Sequence, residues 1–218
     1  MKIYLSPSNQ DNNAYSYGNL NEMQVCNKIA IACETYLKAS GFTVKRAAQG
    51  QNMYTSIEES NTWGADLHIC IHTNAGGGKG CEVYTYAGTK TVNKWAEPIY
   101  NCIAAITESS DRGLKTANFA ELKGTKCPCV YCECEFHDNV TTAKWIIEHT
   151  DDLGKAIATG VCKAEGVTLK SASTASATTG SKLYRVQVGA FSVKENADAY
   201  LEKLKKAGFE GFIVEVSK

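Results

Sequence analysis

Short apolar runs alternate with stretches of helical period along residues 1–165, and this alternation is the feature that most constrains the fold. Strands that alternate with helices are typical of a mainly parallel sheet with helices on both faces. The chain is therefore predicted to be an α/β protein with its functional groups at the carboxyl ends of the strands. The predicted strands are 3–5, 43–45, 67–72, 81–86, 119–122 and 130–135. The predicted helices are 22–40, 55–63 and 90–108, with one or two further helices over 141–164.

A change of composition divides the chain after Gly166. Residues 171–181 read Ser-Ala-Ser-Thr-Ala-Ser-Ala-Thr-Thr-Gly-Ser, and a tract without large apolar side chains behaves as a flexible tether. We predict a main domain over 1–166, a linker over 167–181 and a small unit over 182–218.

The C-terminal unit has the pattern of a single βαβ arrangement. Strand patterns at 183–188 and 212–216 flank a helical pattern at 194–206. A unit of this size is shorter than most independent cores. We therefore expect it to pair with a second copy, which would make a homodimer through the tail.

Charge and hydropathy exclude several classes of partner. The chain has 23 basic and 23 acidic residues, so no overall field would attract nucleic acid or an anionic membrane. The N-terminal residues enter a short strand without an apolar signal core, and no later apolar run approaches the length of a membrane span. These patterns predict synthesis in the cytoplasm without a signal peptide, and neither a nucleic-acid nor a membrane partner.

The chain has 10 cysteines, most of them at apolar-patterned positions. Without a signal peptide, they are expected to be small, reduced core residues. Residues 127–134 contain the spacing C-x-C-x-x-C-x-C, but strand alternation sends Cys129 to one face and Cys132 and Cys134 to the other. That alternation argues against a zinc knuckle within this segment.

Two carboxylates interrupt the apolar strand at 130–135. Glu133 and Glu135 share a strand face with Tyr131. A buried carboxylate is costly unless it binds a cation, pairs with a charge or performs proton chemistry. The strand end is therefore a candidate site, and the alternative is an edge strand with a solvated acidic face.

Further candidates converge on the same end of the sheet. Glu22 follows the N-cap candidate Asn21 and faces inward on its helix, while His72 ends an apolar strand. His137 follows the strand that carries Glu133. A glutamate, two histidines and a further carboxylate form a plausible catalytic zinc set. His68 lies about 13 Å from His72 along the strand, too far to share one ion, and is expected in the core or behind the ligands.

Four segments in this order resemble the zinc-dependent N-acetylmuramoyl-L-alanine amidases of the amidase 3 family. They are 65–75 (ADLHICIHTNA), 80–86 (GCEVYTY), 111–118 (DRGLKTAN) and 128–136 (PCVYCECEF). The resemblance covers about residues 1–165. It implies a six-stranded sheet flanked by helices and hydrolysis of the amide between N-acetylmuramic acid and L-alanine of the peptidoglycan stem peptide. It also implies that Glu22 and His72 are metal ligands for Zn²⁺ and that Glu133 is the catalytic glutamate.

One segment departs from the family pattern. The opening strand of the family usually ends Asp-Pro-Gly-His-Gly and supplies a zinc histidine, whereas this chain reads Ser-Pro-Ser-Asn-Gln over 6–10. An amide oxygen binds zinc weakly compared with imidazole. We therefore predict that His137 is the third ligand, and that Asn9 and Gln10 contact substrate at the rim of the site.

Zinc activation of a water and proton transfer by Glu133 would then cleave the amide. Glu135, about 7 Å further along the strand, is the reserve candidate for that transfer. Asn74 and Arg112 are predicted to contact the substrate.

The tail resembles the SPOR repeat, a module associated with peptidoglycan glycan strands, through 184–192 (YRVQVGAFS) and 206–209 (KAGF). Only one of the two usual strand–helix–strand halves is present. A protein made in the cytoplasm but acting on the cell wall would be released by lysis, as a phage-type endolysin or a mother-cell autolysin of a sporulating bacterium. The alternatives are a non-catalytic wall-binding protein and a zinc peptidase acting within the stem peptide.

Overall fold

The computed structural model describes residues 1–88, 93–107, 112–171, 188–206 and 213. The strands are β1 (Lys2–Pro7), β2 (Thr43–Arg46), β3 (Leu67–Asn74), β4 (Glu82–Tyr86), β5 (Leu114–Ala117) and β6 (Cys129–Phe136). The helices are α1 (Glu22–Ala39), α2 (Met53–Trp63), α3 (Ala96–Ala104), α4 (Ala120–Gly124), α5 (Val140–Glu148), α6 (Thr150–Glu165) and α7 (Lys194–Lys206).

The strands form one six-stranded sheet in the order β2-β1-β3-β6-β4-β5. Within this described sheet, β4 runs antiparallel to β6 and the remaining pairs are parallel. The predicted mainly parallel, six-stranded α/β fold is confirmed. Because β4 runs against β6, the amino end of β4 lies at the same edge as the carboxyl ends of β3 and β6, and Glu82 pairs with Glu133.

Helices cover both faces of the sheet. On one face α1, α3 and α6 pack over the main core, which includes Ile69, Ile71, Val130 and Cys132. On the other face α2 and α4 pack together, and Leu122 of α4 joins a smaller cluster with Cys70 and Cys129. The predicted alternation of β6 is observed, since Cys129 lies in one cluster and Cys132 and Cys134 in the other. Nine of the ten cysteines are buried.

The prediction of a strand at 119–122 was wrong. This segment enters α4, and the strand of this region is β5, which ends two residues earlier. Adjacent Glu121 and Leu122 are both buried, which suits a helical turn and not the alternation of a strand. The sequence pattern did not predict β5 because this short edge strand has only half-buried or exposed residues.

The remaining helix predictions differ mainly at their ends. The predicted helix 90–108 corresponds to the shorter α3, and its outer parts at 90–92 and 108 lie outside the described residues. Of the one or two helices predicted over 141–164, the structure has two, α5 and α6, which meet at His149.

The C-terminal unit is described only around its helix. α7 has the predicted bounds, whereas the predicted strands at 183–188 and 212–216 fall almost wholly outside the described residues. The chain divides into two compact units, Met1–Ala175 and Ser176–Lys218. Among the described residues, no helix has the length and apolar character needed to cross a bilayer.

Candidate active site

A cleft of about 410 Å³ opens at the carboxyl ends of β1 and β3. Its wall includes Asn9 and Gln10 beyond β1, His72 of β3 and Tyr131 of β6. Glu121 of α4 lies on the far wall. The parallel strands and the following loops thus deliver polar side chains to one edge, as the sequence predicted.

Glu22 and His72 form a buried pair at this edge. A capping box at Asn21 begins α1, so Glu22 is the first helical residue, where the helix dipole favours a carboxylate. Its Oε1 lies 2.8 Å from Nδ1 of His72, and its Oε2 accepts a hydrogen bond of 2.9 Å from Asn13. The His72 ring stacks on Tyr131 at 4.4 Å between centroids. The structure therefore brings together two of the three predicted metal ligands.

The electrostatics of the pair favour its charged forms. Burial alone would raise the pKa of Glu22, but the hydrogen bond and charge of His72 outweigh it and lower that pKa. Burial would lower the pKa of His72, and the Glu22 carboxylate, aided by the charge of Glu133, raises it instead. Carboxylate oxygen and imidazole nitrogen are ligands that zinc accepts.

Glu133 lies beside this pair on β6, directly across from His72. Its Oε2 is buried and has no hydrogen-bond partner among the described residues. Burial, opposed by the charge of His72 and supported by the charges of Glu22 and Glu82, raises the pKa of Glu133 to about 7. A carboxyl group poised near neutrality is suited to accept and return a proton.

Glu82, which the sequence analysis missed, organises the other side of Glu133. This buried carboxylate accepts hydrogen bonds from Arg112 Nε at 2.6 Å, Asn74 Nδ2 at 3.0 Å and Tyr84 at 2.7 Å, and it also binds Lys115. Burial raises the pKa of Glu82, but its hydrogen bonds with Lys115, Tyr84 and Arg112 lower it overall. The two residues predicted to contact the substrate, Asn74 and Arg112, therefore both donate hydrogen bonds to the Glu82 carboxylate, which was not among the predicted site residues.

Glu121 was also missed, because its segment was assigned to a strand. It is buried, and its Oε1 accepts a hydrogen bond of 2.5 Å from Ser6 and lies 3.2 Å from Nε2 of His68. Burial raises its pKa, yet the His68 interaction lowers it overall. A helical assignment of 120–124 would have set Glu121 against the sheet, so the local period was the signal to find it.

His137 and Glu135 are engaged elsewhere. Nδ1 of His137 lies 3.0 Å from both the hydroxyl and the carbonyl oxygen of Thr73, and its ring stacks on Tyr15. Among the described residues, Glu22, His72 and His137 do not form a trio of mutually close ligand atoms. Oε1 of Glu135 accepts hydrogen bonds from the backbone N–H groups of Gly80 and Phe136 at 2.6 and 2.9 Å.

A carboxylate–imidazole pair lies beside a half-buried carboxyl group with a pKa of about 7 at the strand ends of an α/β sheet. This arrangement is typical of a class of enzymes, the hydrolases that activate water. The comparisons with known proteins make this class specific. The family model described as N-acetylmuramoyl-L-alanine amidase matches residues 6–163, and the SPOR domain model matches residues 163–216.

Relatives of known identity agree with these matches. The chain is 32% identical over 222 residues to the sporulation-specific N-acetylmuramoyl-L-alanine amidase of Bacillus subtilis, covering 98% of this chain and 84% of that protein. It is 29% identical over 224 residues to the amidase CwlM of Bacillus licheniformis, covering 98% and 85%. The structure of the amidase AmiC2 of Nostoc punctiforme matches with a TM-score of 0.69 at 21% identity, over 76% of this chain and 97% of that one.

The chain belongs to the N-acetylmuramoyl-L-alanine amidase family of the amidase 3 type. It is a peptidoglycan hydrolase that cleaves the amide between N-acetylmuramic acid and L-alanine, so the main functional prediction is confirmed. The family is in general zinc-dependent.

Proposed function

We propose that this amidase binds its zinc through Glu22 and His72 and that Glu133 transfers the proton in the reaction. The main support for the zinc assignment is the buried contact of 2.8 Å between Glu22 Oε1 and His72 Nδ1. Two such atoms bound to one tetrahedral zinc, each at about 2.0–2.1 Å, would lie about 3.3 Å apart. Opening the pair by about half an ångström would therefore seat the ion, and these residues fit the metal.

Bound zinc supplies a Lewis acid that lowers the pKa of a water molecule and polarises a carbonyl group. Glu133 supplies the base: its carboxylate takes the proton from the attacking water and then returns it to the leaving amine. Oε2 of Glu133 has no hydrogen-bond partner in the described part of the chain, so it has an open lone pair for that proton. The ring of Tyr131, stacked on His72, holds the imidazole against rotation.

The cleft wall supplies contacts for the substrate. Asn9 and Gln10 border the cleft and can exchange hydrogen bonds with amide and sugar groups. The Arg112 side chain is 38% exposed although its Nε is held by Glu82, so its remaining N–H groups can meet a stem-peptide carboxylate. Asn74, anchored on the same Glu82, sets the position of the loop beside Glu133.

We also propose His137 as the third zinc ligand. A metal-binding histidine usually donates its other ring N–H to a carbonyl or carboxylate, and His137 Nδ1 has that contact with the Thr73 carbonyl oxygen. Thr73 also connects His137 to Glu22, since its backbone N–H donates a hydrogen bond of 3.4 Å to Glu22 Oε1. The His137→Ala protein should lose zinc, and unchanged metal content would eliminate His137 as a ligand.

The first test measures zinc content and the release of L-alanine amino termini from purified peptidoglycan, before and after chelation. We expect His72→Ala and Glu22→Gln to lower bound zinc by about one ion per chain and to abolish release. The matched control is His149→Ala, a half-buried histidine outside the cleft. Release that resists chelation in the unaltered protein would refute the zinc assignment, and new amino termini other than L-alanine would indicate a peptidase.

A second test separates the two glutamates of β6. We expect Glu133→Gln to lower kcat by a factor of about 10² to 10⁴ because it removes the base. Glu135→Gln keeps an acceptor oxygen for Gly80 and Phe136 and should retain most activity. The opposite order of effects would transfer the role of base to Glu135.

We further propose that the C-terminal unit binds glycan strands and pairs two chains, which raises the effective concentration of the hydrolase on an insoluble wall. The SPOR match supports glycan binding. Likeness to a sporulation-specific relative supports a mother-cell autolysin that acts after lysis, with a phage-type endolysin as the alternative. Enzyme that appears only during sporulation would favour the former, and enzyme that appears only after phage induction the latter.

A further inference from the structure

A second group of metal-ligand side chains lies beneath the cleft, on the face of the sheet covered by α4. His68 and Cys70 of β3 and Cys129 of β6 are 0%, 0% and 5% exposed. One ligand atom from each lies within 4.8 Å of the other two, and within the described part of the chain no other group of His, Cys, Asp and Glu side chains meets this condition. The zinc assignment proposed for the cleft uses none of these three residues.

The two sulfur atoms are spaced as thiolates on one ion would be. Sγ of Cys70 lies 3.6 Å from Sγ of Cys129. Two thiolates bound to a tetrahedral zinc at about 2.3 Å would lie about 3.8 Å apart. A disulfide would need about 2.05 Å between the same atoms. The thiols, which lie within S–H···S hydrogen-bond distance, are therefore spaced closely enough to share a cation and too far apart for a covalent bond.

The histidine has the outer contact of a metal ligand. Its Nε2 lies 3.2 Å from the Glu121 carboxylate, while its Nδ1 is buried without a hydrogen-bond partner among the described residues. A histidine that binds metal through one nitrogen commonly donates the other N–H to a carboxylate, which fixes the tautomer. A buried imidazole nitrogen without a partner costs free energy, and a bound cation would remove that cost.

We propose that His68, Cys70 and Cys129 supply three ligands of a second zinc site, separate from the catalytic one. Both thiols must ionise on binding, so one Zn²⁺ enters and two protons leave to solvent. Two thiolates, which are soft ligands, together with one imidazole select zinc over magnesium or calcium. The ion would tie β3 to β6 beneath His72 and Glu133, and so would fix the two strands that carry the catalytic groups.

This inference stands apart from the assignment of the catalytic zinc. The test uses the full chain in which Glu22→Gln and His72→Ala remove the proposed catalytic ligands, loaded with Zn²⁺ alone. X-ray absorption at the zinc edge should show two sulfur neighbours at about 2.3 Å, with about one zinc retained per chain. Loading with Co²⁺ alone should give thiolate-to-cobalt charge-transfer absorption.

Cysteine variants in the same background locate the ligands. Cys129→Ser should lower the number of sulfur neighbours from two to one or release the zinc, whereas Cys132→Ser should keep two sulfur neighbours. Cys132 is the matched control because it is a fully buried cysteine of the same strand on the opposite face. The proposal is overturned if zinc in the double variant has only nitrogen and oxygen neighbours, if no zinc is retained, or if two sulfur neighbours remain after Cys129→Ser.

The spectrum of the double variant decides the matter even if Cys129→Ser fails to fold. Sulfur-bound zinc without amidase activity in the unaltered chain would leave this site standing while the catalytic assignment fails. Chelator-sensitive amidase activity without sulfur-bound zinc would give the reverse result.

Discussion

Three buried carboxylates and the half-buried Glu133 lie at one end of the sheet, and their partners determine their roles. Glu22, Glu82 and Glu121 each have a cationic or imidazole partner, and each has a lowered pKa. Glu133 has no hydrogen-bond partner for its Oε2 within the described residues, and its pKa is raised to about 7. Glu133, whose desolvation is not offset by a hydrogen bond to Oε2 from the described residues, is the residue proposed to transfer the proton.

That cost predicts a dependence of stability on pH. In the folded protein without metal, Glu133 keeps its proton up to about pH 7, whereas its ordinary pKa is 4.5. The folded state therefore binds more protons between these values, and the free energy of unfolding falls as pH rises through this window. Glutamine does not titrate, so the free energy of unfolding of Glu133→Gln should not fall in this way. We expect the variant to be more stable than the unaltered protein by about 3 kcal/mol above pH 7 and equally stable near pH 4.

Denaturant unfolding of both chelated proteins across this pH range measures the difference. Glu135→Gln serves as the control, because the Glu135 carboxylate already has backbone partners. A gain for Glu133→Gln that does not vary with pH would show that titration of Glu133 is not its source.

A second prediction concerns Asn9, which borders the cleft together with His72. Asn9→His places an imidazole where the family pattern has a zinc ligand. We expect zinc affinity to rise on the order of tenfold or more, since imidazole binds zinc better than an amide oxygen. Competition with a chromophoric chelator measures the affinity, and Gln10→His is the neighbouring control. An affinity unaffected by Asn9→His would mean that position 9 lies outside the reach of the ion.

At the level of elements, the hydrophobic pattern determined most of what could be predicted. Apolar runs located five of the six strands because parallel strands are buried on both faces, and the inward stripe of α1 placed Glu22 beside β3. β5 could not be found this way because none of its residues is buried, whereas the other edge strand, β2, has the buried Val44. Glu82 was missed because its partner Arg112 reaches it only through the sheet order, which local sequence does not encode. Glu121 was missed because its helical segment was assigned to a strand.

Helix packing gives a prediction at the same scale. α6 crosses α3 so closely at Gly160 that an added Cβ would lie 2.4 Å from the Ile99 Cα. Backbone cannot yield as a side-chain end can, so Gly160→Ala should destabilise the protein by about 1–3 kcal/mol despite the better helix propensity of alanine. Thermal or denaturant unfolding measures this, with exposed Lys163→Ala in the same helix as the control. Equal stability of the two variants would contradict the close packing of α3 and α6.

At the scale of the whole molecule, we propose that the first unit carries out catalysis and that the C-terminal unit holds the enzyme on the cell wall. The first unit, Met1–Ala175, contains the whole described catalytic cleft and its own core. Leu169 packs on that core and the Lys170 N–H donates to Ser40, so the fold of this unit extends a few residues past α6. A chain that ends at Ser171 therefore keeps every described contact of the catalytic unit.

Removal of residues 172–218 should separate activity on soluble and insoluble substrates. We expect kcat/KM on a soluble muramyl peptide to stay within about twofold, because the cleft is intact, and the rate on insoluble peptidoglycan to fall on the order of a hundredfold, because the tether no longer concentrates the enzyme. Sedimentation should also show a dimer for the full chain and a monomer for the shortened one. A strictly monomeric full chain would remove pairing through the tail, and equal loss on both substrates would show that the tail supports the catalytic unit itself.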